Sequence, residues 1–201
     1  DNPIDVRATG RLNKLYVELL RENPDWATNE RRPDMNHFMA RLVFCLFAED
    51  TDIFNGEGLF TRTVEQMSER DGSNTHEVLS EIFRAMNIKT RPDERTAAQP
   101  RLPSWADQFP YVNGGLFSGS ASVPRFTRMA RTYLLAFNEV RKIGPDLNGH
   151  RLLLRVNPDI ARALKEEESA VLQDLRQAIG KDVTIRPDLQ LHHEQFDVMA
   201  M

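Results

Sequence analysis

The chain has 201 residues, a mass of 23.1 kDa and a formal net charge of −4, from 26 Lys+Arg and 30 Asp+Glu. That length allows one domain or two small ones, and 40% apolar residues exclude a wholly disordered chain. The longest apolar run, residues 42–48, is far shorter than a lipid-spanning helix, and the single Cys45 excludes an internal disulfide framework or a cysteine-rich zinc site.

The first residues, Asp1-Asn2-Pro3, lack the apolar stretch of a signal peptide. A start without Met reads as a fragment or a trimmed terminus, and cytoplasm is the expected compartment. Charges are mixed at fine grain, so neither half of the chain is a polyelectrolyte. A local basic face remains compatible with that balance. Arginine outnumbers lysine, 21 to 5, which fits phosphate contacts and ion pairs equally well.

Leu12, Leu15, Tyr16, Leu19 and Leu20 recur at helical spacing and predict a helix over 5–21. Asn23-Pro24 stops it, because the residue before proline is pushed out of the helical region. Pro33 opens a second helix, to about residue 49, that is apolar nearly all round: Phe38, Met39, Leu42, Val43, Phe44, Cys45, Leu46, Phe47. A helix without a polar face is buried on several sides, so this one is expected at the centre of a core. A third helix is predicted over 59–70. Asn74 with Glu77 resembles a capping box opening a fourth, with Leu79, Ile82, Phe83 and Met86 on its apolar face. Residues 88–104 read as a long loop. The stretch Phe109-Pro110-Tyr111-Val112-Asn113-Gly114-Gly115-Leu116-Phe117 reads as a turn with aromatic anchors, Tyr111, Leu116 and Phe117 pinning it to the core. A further helix is predicted over 124–142.

The pattern changes after Gly144. Residues 151–156 are a strand candidate centred on Leu152-Leu153-Leu154. Asn157 is placed as an N-cap, with Pro158 at the first helical position. The helix that follows runs toward Ile179 with a break near Glu168-Ser169. Residues 182–186 and 196–200 alternate as strands. The fold class is therefore α+β: a mainly α-helical unit, 1–142, followed by a small βαββ unit, 145–201.

Two resemblances cover different parts of the chain. The run from His37 through Ala48-Glu49-Asp50-Thr51-Asp52-Ile53-Phe54, followed by the Phe109 to Phe117 stretch, resembles the helical spacer region of MmeI-type DNA adenine methyltransferase/restriction proteins over about residues 1–135. Leu152-Leu153-Leu154-Arg155-Val156-Asn157-Pro158, Glu166-Glu167-Glu168-Ser169, Ile179-Gly180-Lys181 and His193-Glu194-Gln195-Phe196-Asp197-Val198 resemble the end of the ribonuclease E/G catalytic core, over 138–201. The two families are not normally joined. A chimera or a fused fragment accounts for the combination, with the seam in the helix that starts near Arg128.

Catalytic chemistry is absent from the pattern. The methyltransferase's Asn-Pro-Pro-aromatic motif is not matched by Asn2-Pro3-Ile4, Asn23-Pro24-Asp25 or Asn157-Pro158-Asp159. Phe117-Ser118-Gly119-Ser120-Ala121 lacks the second glycine and the preceding strand of a cofactor loop. No lysine follows an acid at the spacing a restriction-type nuclease needs, and no P-loop is present. No catalytic or metal residue is therefore assigned. The parent enzymes, by resemblance, use S-adenosylmethionine or magnesium in other domains.

Several clusters have a functional and a structural reading. Glu49, Asp50 and Asp52 suit a magnesium-type site, or a helix-end turn whose carboxylates bind arginine or cap the next helix; the turn is favoured. His37, Arg41, Cys45 and Glu49 step by four along one helix, but they drift around it. Cys45 reads as a buried structural thiol, and His37 and Arg41 as anchors for a loop or a phosphate. His192-His193-Glu194 lies in an extended segment where neighbours point to opposite faces, against a shared ion. Glu166-Glu167-Glu168 reads as a solvated helix face. Asn113, Gly114 and Gly115 form a tight structural loop or a place of close backbone approach to a ligand.

The expected function is a non-catalytic connector of a DNA restriction–modification enzyme, fused to a ribonuclease G-like segment. The alternatives are a ribonuclease E/G fragment acting on RNA, or a chimeric interaction module. Arg31, Arg32 and Arg41 are the candidate nucleic-acid contacts, weak and phosphate-directed, with DNA as partner or alternatively RNA. Neighbouring methyltransferase or nuclease domains are the expected protein partners, and no membrane is involved. The 145–201 unit, too small to be a robust core alone, docks on the helical unit or self-associates through Leu152, Leu154, Val183 and Ile185.

Overall fold

In a computed structural model of the chain, residues 3–49, 53–99, 101–119, 122–136, 152–166, 169–179, 182–190 and 196–200 are described. The first helix, α1 (Pro3–Glu22), is as the periodicity predicts: Leu12, Leu15, Tyr16, Leu19 and Leu20 are all buried. Its end is fixed by Asn23, whose side-chain amide donates to the carbonyls of Leu19 (2.9 Å) and Arg125 (2.8 Å), while its oxygen accepts from the Arg125 N–H at 3.0 Å. One buried amide thus ties the end of α1 to a segment 102 residues away. A short 3-10 turn, Pro24–Ala27, buries Trp26.

Helix α2 (Arg32–Ala48) lies at the centre of the core, with Met35, Phe38, Met39, Leu42, Phe44, Cys45, Leu46, Phe47 and Ala48 buried. Phe44 packs edge-on against Phe54 and Phe117, with centroids 6.0 and 5.4 Å apart, the arrangement that ring quadrupoles favour. Helix α3 (Leu59–Met67) is shorter than expected. It ends where Ser68 turns its hydroxyl onto the Val64 carbonyl. Helix α4 (Thr75–Met86) buries Leu79, Ile82, Phe83 and Met86 as read from the sequence. The capping box does not form: the Asn74 side chain accepts from the Glu69 N–H at 2.7 Å and makes no cap bond to its own helix. Gly72 explains the turn between them. It sits at φ +81°, and a Cβ there would lie 2.5 Å from the Thr127 carbonyl oxygen.

The 88–104 loop is internally organised. Arg95 donates to the Thr90 carbonyl and pairs with Asp107 at 2.8 Å, both side chains mostly buried. Helix α5 (Arg128–Leu135) starts later than the predicted 124 because Thr127 is the N-cap. Its hydroxyl accepts from the Ala130 N–H at 3.1 Å, whereas residues 122–127 hold no regular structure. The Gly144-Pro145 break and residues 137–142 of the expected seam helix lie outside the described residues.

The last segment forms β1 (Leu152–Val156), α6 (Pro158–Glu166), α7 (Ser169–Ile179), β2 (Val183–Pro187) and β3 (Phe196–Ala200). Asn157 caps α6, accepting from the Asp159 N–H at 2.9 Å. The sheet order is β2-β1-β3. Strand β1 runs parallel to β2 (Leu152 opposite Val183) and antiparallel to β3 (Leu152 opposite Ala200). A parallel pair requires a long crossover, which α6 and α7 supply. The α+β class holds.

The core does not stop between the segments. Val156, Ala161, Leu172, Leu175, Val183 and Ile185 belong to the same buried cluster as the residues of α1–α5. Helix α2 packs on α7, and α1 packs on β3. Val183 and Ile185, named above as surfaces for docking or self-association, are buried within this single cluster. The side chains of Leu152 and Leu154 lie outside what is described.

Candidate functional site

The sequence-flagged features converge on one place, the 109–119 loop. Phe109, Val112, Leu116 and Phe117 are buried and anchor it, whereas Tyr111 is 38% exposed and does not. The pinning assigned to Tyr111 falls instead to Phe109 and Val112. The Val112 N–H also donates to the Met86 carbonyl at 2.9 Å, fixing the loop to the end of α4.

Helix α2 grips this loop with two cation-forming side chains one turn apart. Arg41 donates through Nε to the Leu116 carbonyl (2.7 Å) and through Nη2 to the Ser118 carbonyl (2.9 Å). Its guanidinium carbon lies 5.8 Å from the ring centroids of both Phe83 and Phe117, positions where aromatic faces stabilise a cation. The His37 Nε2 meets the same Leu116 oxygen at 2.7 Å. A carbonyl only accepts, so Nε2 carries the proton.

Burial pushes the Arg41 pKa down to about 10, leaving it charged at neutral pH. His37 is held below its ordinary value, first by burial and then by the neighbouring Arg41; the Leu116 bond, Asp174 and Asp34 oppose this in part. Burial, reinforced by Glu49 and partly offset by Arg41, raises the Cys45 thiol. Cys45 is a fully buried free thiol, as expected for a packing residue.

From the other side, α7 closes on the glycines. The Gly115 N–H donates to Asp174 Oδ1 at 3.3 Å. A Cβ at Gly115 would lie 2.6 Å from Asp174 Oδ2. One at Gly114, where φ is +96°, would lie 3.0 Å from Gln177 Oε1. The positive φ at Gly114 favours glycine there, and at Gly115 the Asp174 carboxylate lies against the bare backbone.

Of the three arginines read as phosphate contacts, Arg41 is only 2% exposed. Its guanidinium sits on loop carbonyls, out of reach of a phosphate on the surface; it anchors the loop. Arg31 stacks over Trp26, 4.3 Å from the ring centroid, and pairs with Asp34 (3.0 Å) and Asp25 (3.5 Å). Arg32 is half-buried at the start of α2. Glu49 acts as the helix-end reading requires: it caps α3, accepting from the Thr61 N–H at 2.8 Å and the Thr61 hydroxyl at 3.1 Å. Asp50, Asp52 and His192-His193-Glu194 lie outside the described residues, as do Glu167 and Glu168. Among the described residues no group of three His, Cys, Asp or Glu is placed to hold a metal ion, and no helix is long and apolar enough to cross a membrane.

Three contributors were not read from sequence. Asp174 is the α7 side of the loop contact. Arg131 donates to the Ser68 hydroxyl at 2.9 Å and to the Glu65 carbonyl at 3.0 Å. Glu18 accepts from the Thr127 hydroxyl at 3.0 Å. A buried arginine or glutamate on an otherwise apolar helix face was the available signal, but each partner is far away in sequence.

Comparison with known proteins places the helical part. Residues 33–117 match the family model described as MmeI, helicase spacer domain. The chain is 34% identical over 152 residues to DNA methyltransferase A of Bacillus subtilis (strain 168), an alignment covering 74% of this chain and 16% of that protein. It is also similar to the solved structure of the Type IIL restriction-modification enzyme MmeI in complex with DNA, with a TM-score of 0.55 and 30% identity, covering 69% of this chain and 17% of that one. The chain spans about one sixth of the length of these relatives.

Proposed function

We propose that this chain is the connector segment of a DNA restriction–modification enzyme with an adenine methyltransferase, and that it holds neighbouring catalytic domains without catalysing a reaction itself. The observation that carries this reading is the match of residues 33–117 to a spacer domain. These residues include Arg41 and the Leu116 carbonyl it grips, and the second carbonyl, of Ser118, lies one residue beyond the match. A connector must transmit position, and the bonds from a buried cation to two carbonyls add directional constraint to the apolar contacts. S-adenosylmethionine belongs to the neighbouring methyltransferase domain in this reading. Among the described residues 101–119, no strand precedes Gly119.

DNA is the nucleic-acid partner in this reading, met through phosphates at the start of α2, where Arg32 is the candidate. Such binding is weak and falls steeply with salt. Neighbouring methyltransferase or nuclease domains are the protein partners. A second copy is not needed to cover Val183 and Ile185, which are already buried within the chain's own core.

A second reading applies to residues 138–201 alone, as a segment derived from the end of a ribonuclease E/G core. The observed order of strand, Asn157-capped helix, second helix and two strands supports it, as do the motifs given above. RNA would be the partner of such a parent enzyme.

Transplantation tests the connector reading. Residues 1–135 would replace the corresponding spacer of an MmeI-type enzyme. Retained methylation and cleavage at the parent's own target sequence supports a positioning role. A folded hybrid whose target sequence changes would contradict it, because recognition would then reside in the spacer.

A further inference from the structure

We propose that the 113–118 loop is a docking seat that recognises a carboxylate on a neighbouring helix, and that its occupant in this chain is Asp174 of α7. The proposal goes beyond the connector reading by naming the chemistry with which the helical unit grips what lies next to it. It does not depend on methyltransferase or nuclease domains being present.

Three features build the seat. The Gly115 N–H points at the carboxylate, 3.3 Å from Asp174 Oδ1. Behind the loop stand a guanidinium and an imidazole, Arg41 and His37, both bonded to the Leu116 carbonyl. The Arg41 guanidinium, charged at neutral pH, places a positive charge behind the loop. The field of Asp174 reaches His37, where it raises proton affinity against the larger effect of burial. Finally, the loop has no side chain where α7 arrives: a Cβ at position 115 would stand 2.6 Å from Asp174 Oδ2, and one at 114 would stand 3.0 Å from Gln177 Oε1.

Asp174 and Gln177 are three residues apart and therefore share one face of α7. The seat thus receives a short acid, with the Gln177 side chain lying against Gly114 one turn later. An apolar packing surface would require neither the bare backbone nor the Arg41 cation behind it.

Amide hydrogen exchange on the full chain tests this. Asp174→Asn keeps size and one acceptor but removes the charge. Because charge-assisted hydrogen bonds are about twice as strong as neutral ones, the Gly115 amide is expected to exchange about tenfold faster, with protection in α4 unchanged. Gly115→Ala should accelerate exchange along α7, and adding Asp174→Ala should restore part of the protection by clearing the space. Exchange at Gly115 unchanged by Asp174→Asn would overturn the recognition of charge. Unchanged protection of α7 in Gly115→Ala would overturn the seat altogether. If Gly115→Ala does not fold, the Asp174→Asn result decides alone.

Discussion

The carboxylate of Glu49 at the end of α2 accepts both the backbone N–H and the hydroxyl of Thr61, the third residue of α3, at 2.8 and 3.1 Å. The first N–H groups of a helix have no partner within it, and the N-cap here, Gly58, has no side chain to supply one. The acid from the preceding helix takes that role, and it is 2% exposed. Two helices are thus joined by the bonds that satisfy the second one's start.

Glu49→Ala removes that cap and leaves a buried N–H and hydroxyl unpaired. An unsatisfied buried group costs about 1–3 kcal/mol, so destabilisation of about 2 kcal/mol is expected in urea unfolding. Glu49→Gln, which retains an acceptor, should lose about half as much. Equal losses in the two variants would show that packing, rather than capping, sets the effect.

Arg41→Ala should destabilise the chain by about 3 kcal/mol, since bonds to charged groups contribute about 1.5–3 kcal/mol each and the loop carbonyls would be stranded. Arg41→Lys should rescue little, because an ammonium cannot reproduce the planar fork that spans the carbonyls of Leu116 and Ser118. Thermal melting of both variants checks this. Near-native melting of Arg41→Lys would mean that charge alone suffices.

His37 gives a pH dependence of defined sign. Its folded-state pKa lies below the ordinary 6.5 because of burial and then Arg41, so the unfolded chain takes up the proton first. Its contribution to stability is complete above 6.5 and declines as the pH falls below that value. Comparing urea midpoints at about pH 7.5 and about pH 5.5 should show a drop that shrinks in His37→Gln, whose amide still donates to Leu116. An identical drop in His37→Gln would assign the acid sensitivity to other groups.

We propose that residues 1–142 and 145–201 are two folding units although their cores are continuous. Expressed alone, 1–143 should remain helical and cooperative, with α2 losing the cover of α7. The isolated 145–201 piece should be partly unfolded when dilute, because so short a chain buries too little surface. Far-ultraviolet circular dichroism on each piece decides. An unfolded 1–143 would make the whole chain a single unit.

The helices were legible because their apolar residues repeat at helical spacing. Leu12 through Leu20 and Leu79 through Met86 are buried where the period puts them. Boundaries were less legible. Thr127 and Asn74 are both good capping residues, yet Thr127 caps α5 while Asn74 turns to the Glu69 amide, a choice set by the Gly72 turn. Arg41 carried a readable signal. An arginine within a helix that has no polar face cannot reach water, so it must find internal acceptors, and a glycine-rich loop offers bare carbonyls. Asp174 carried none: it is the single acid of α7, but its partner lies 59 residues away.

The central claim is that the chain positions catalytic domains and is not itself one. Transfer of labelled methyl groups from S-adenosylmethionine to DNA, with cleavage followed on the same DNA, measures this most directly. The purified chain should transfer no label above a protein-free blank and leave the DNA intact. Catalytic methylation or cutting that co-purifies with the chain and disappears in a destabilised variant such as Phe44→Ala would contradict the account.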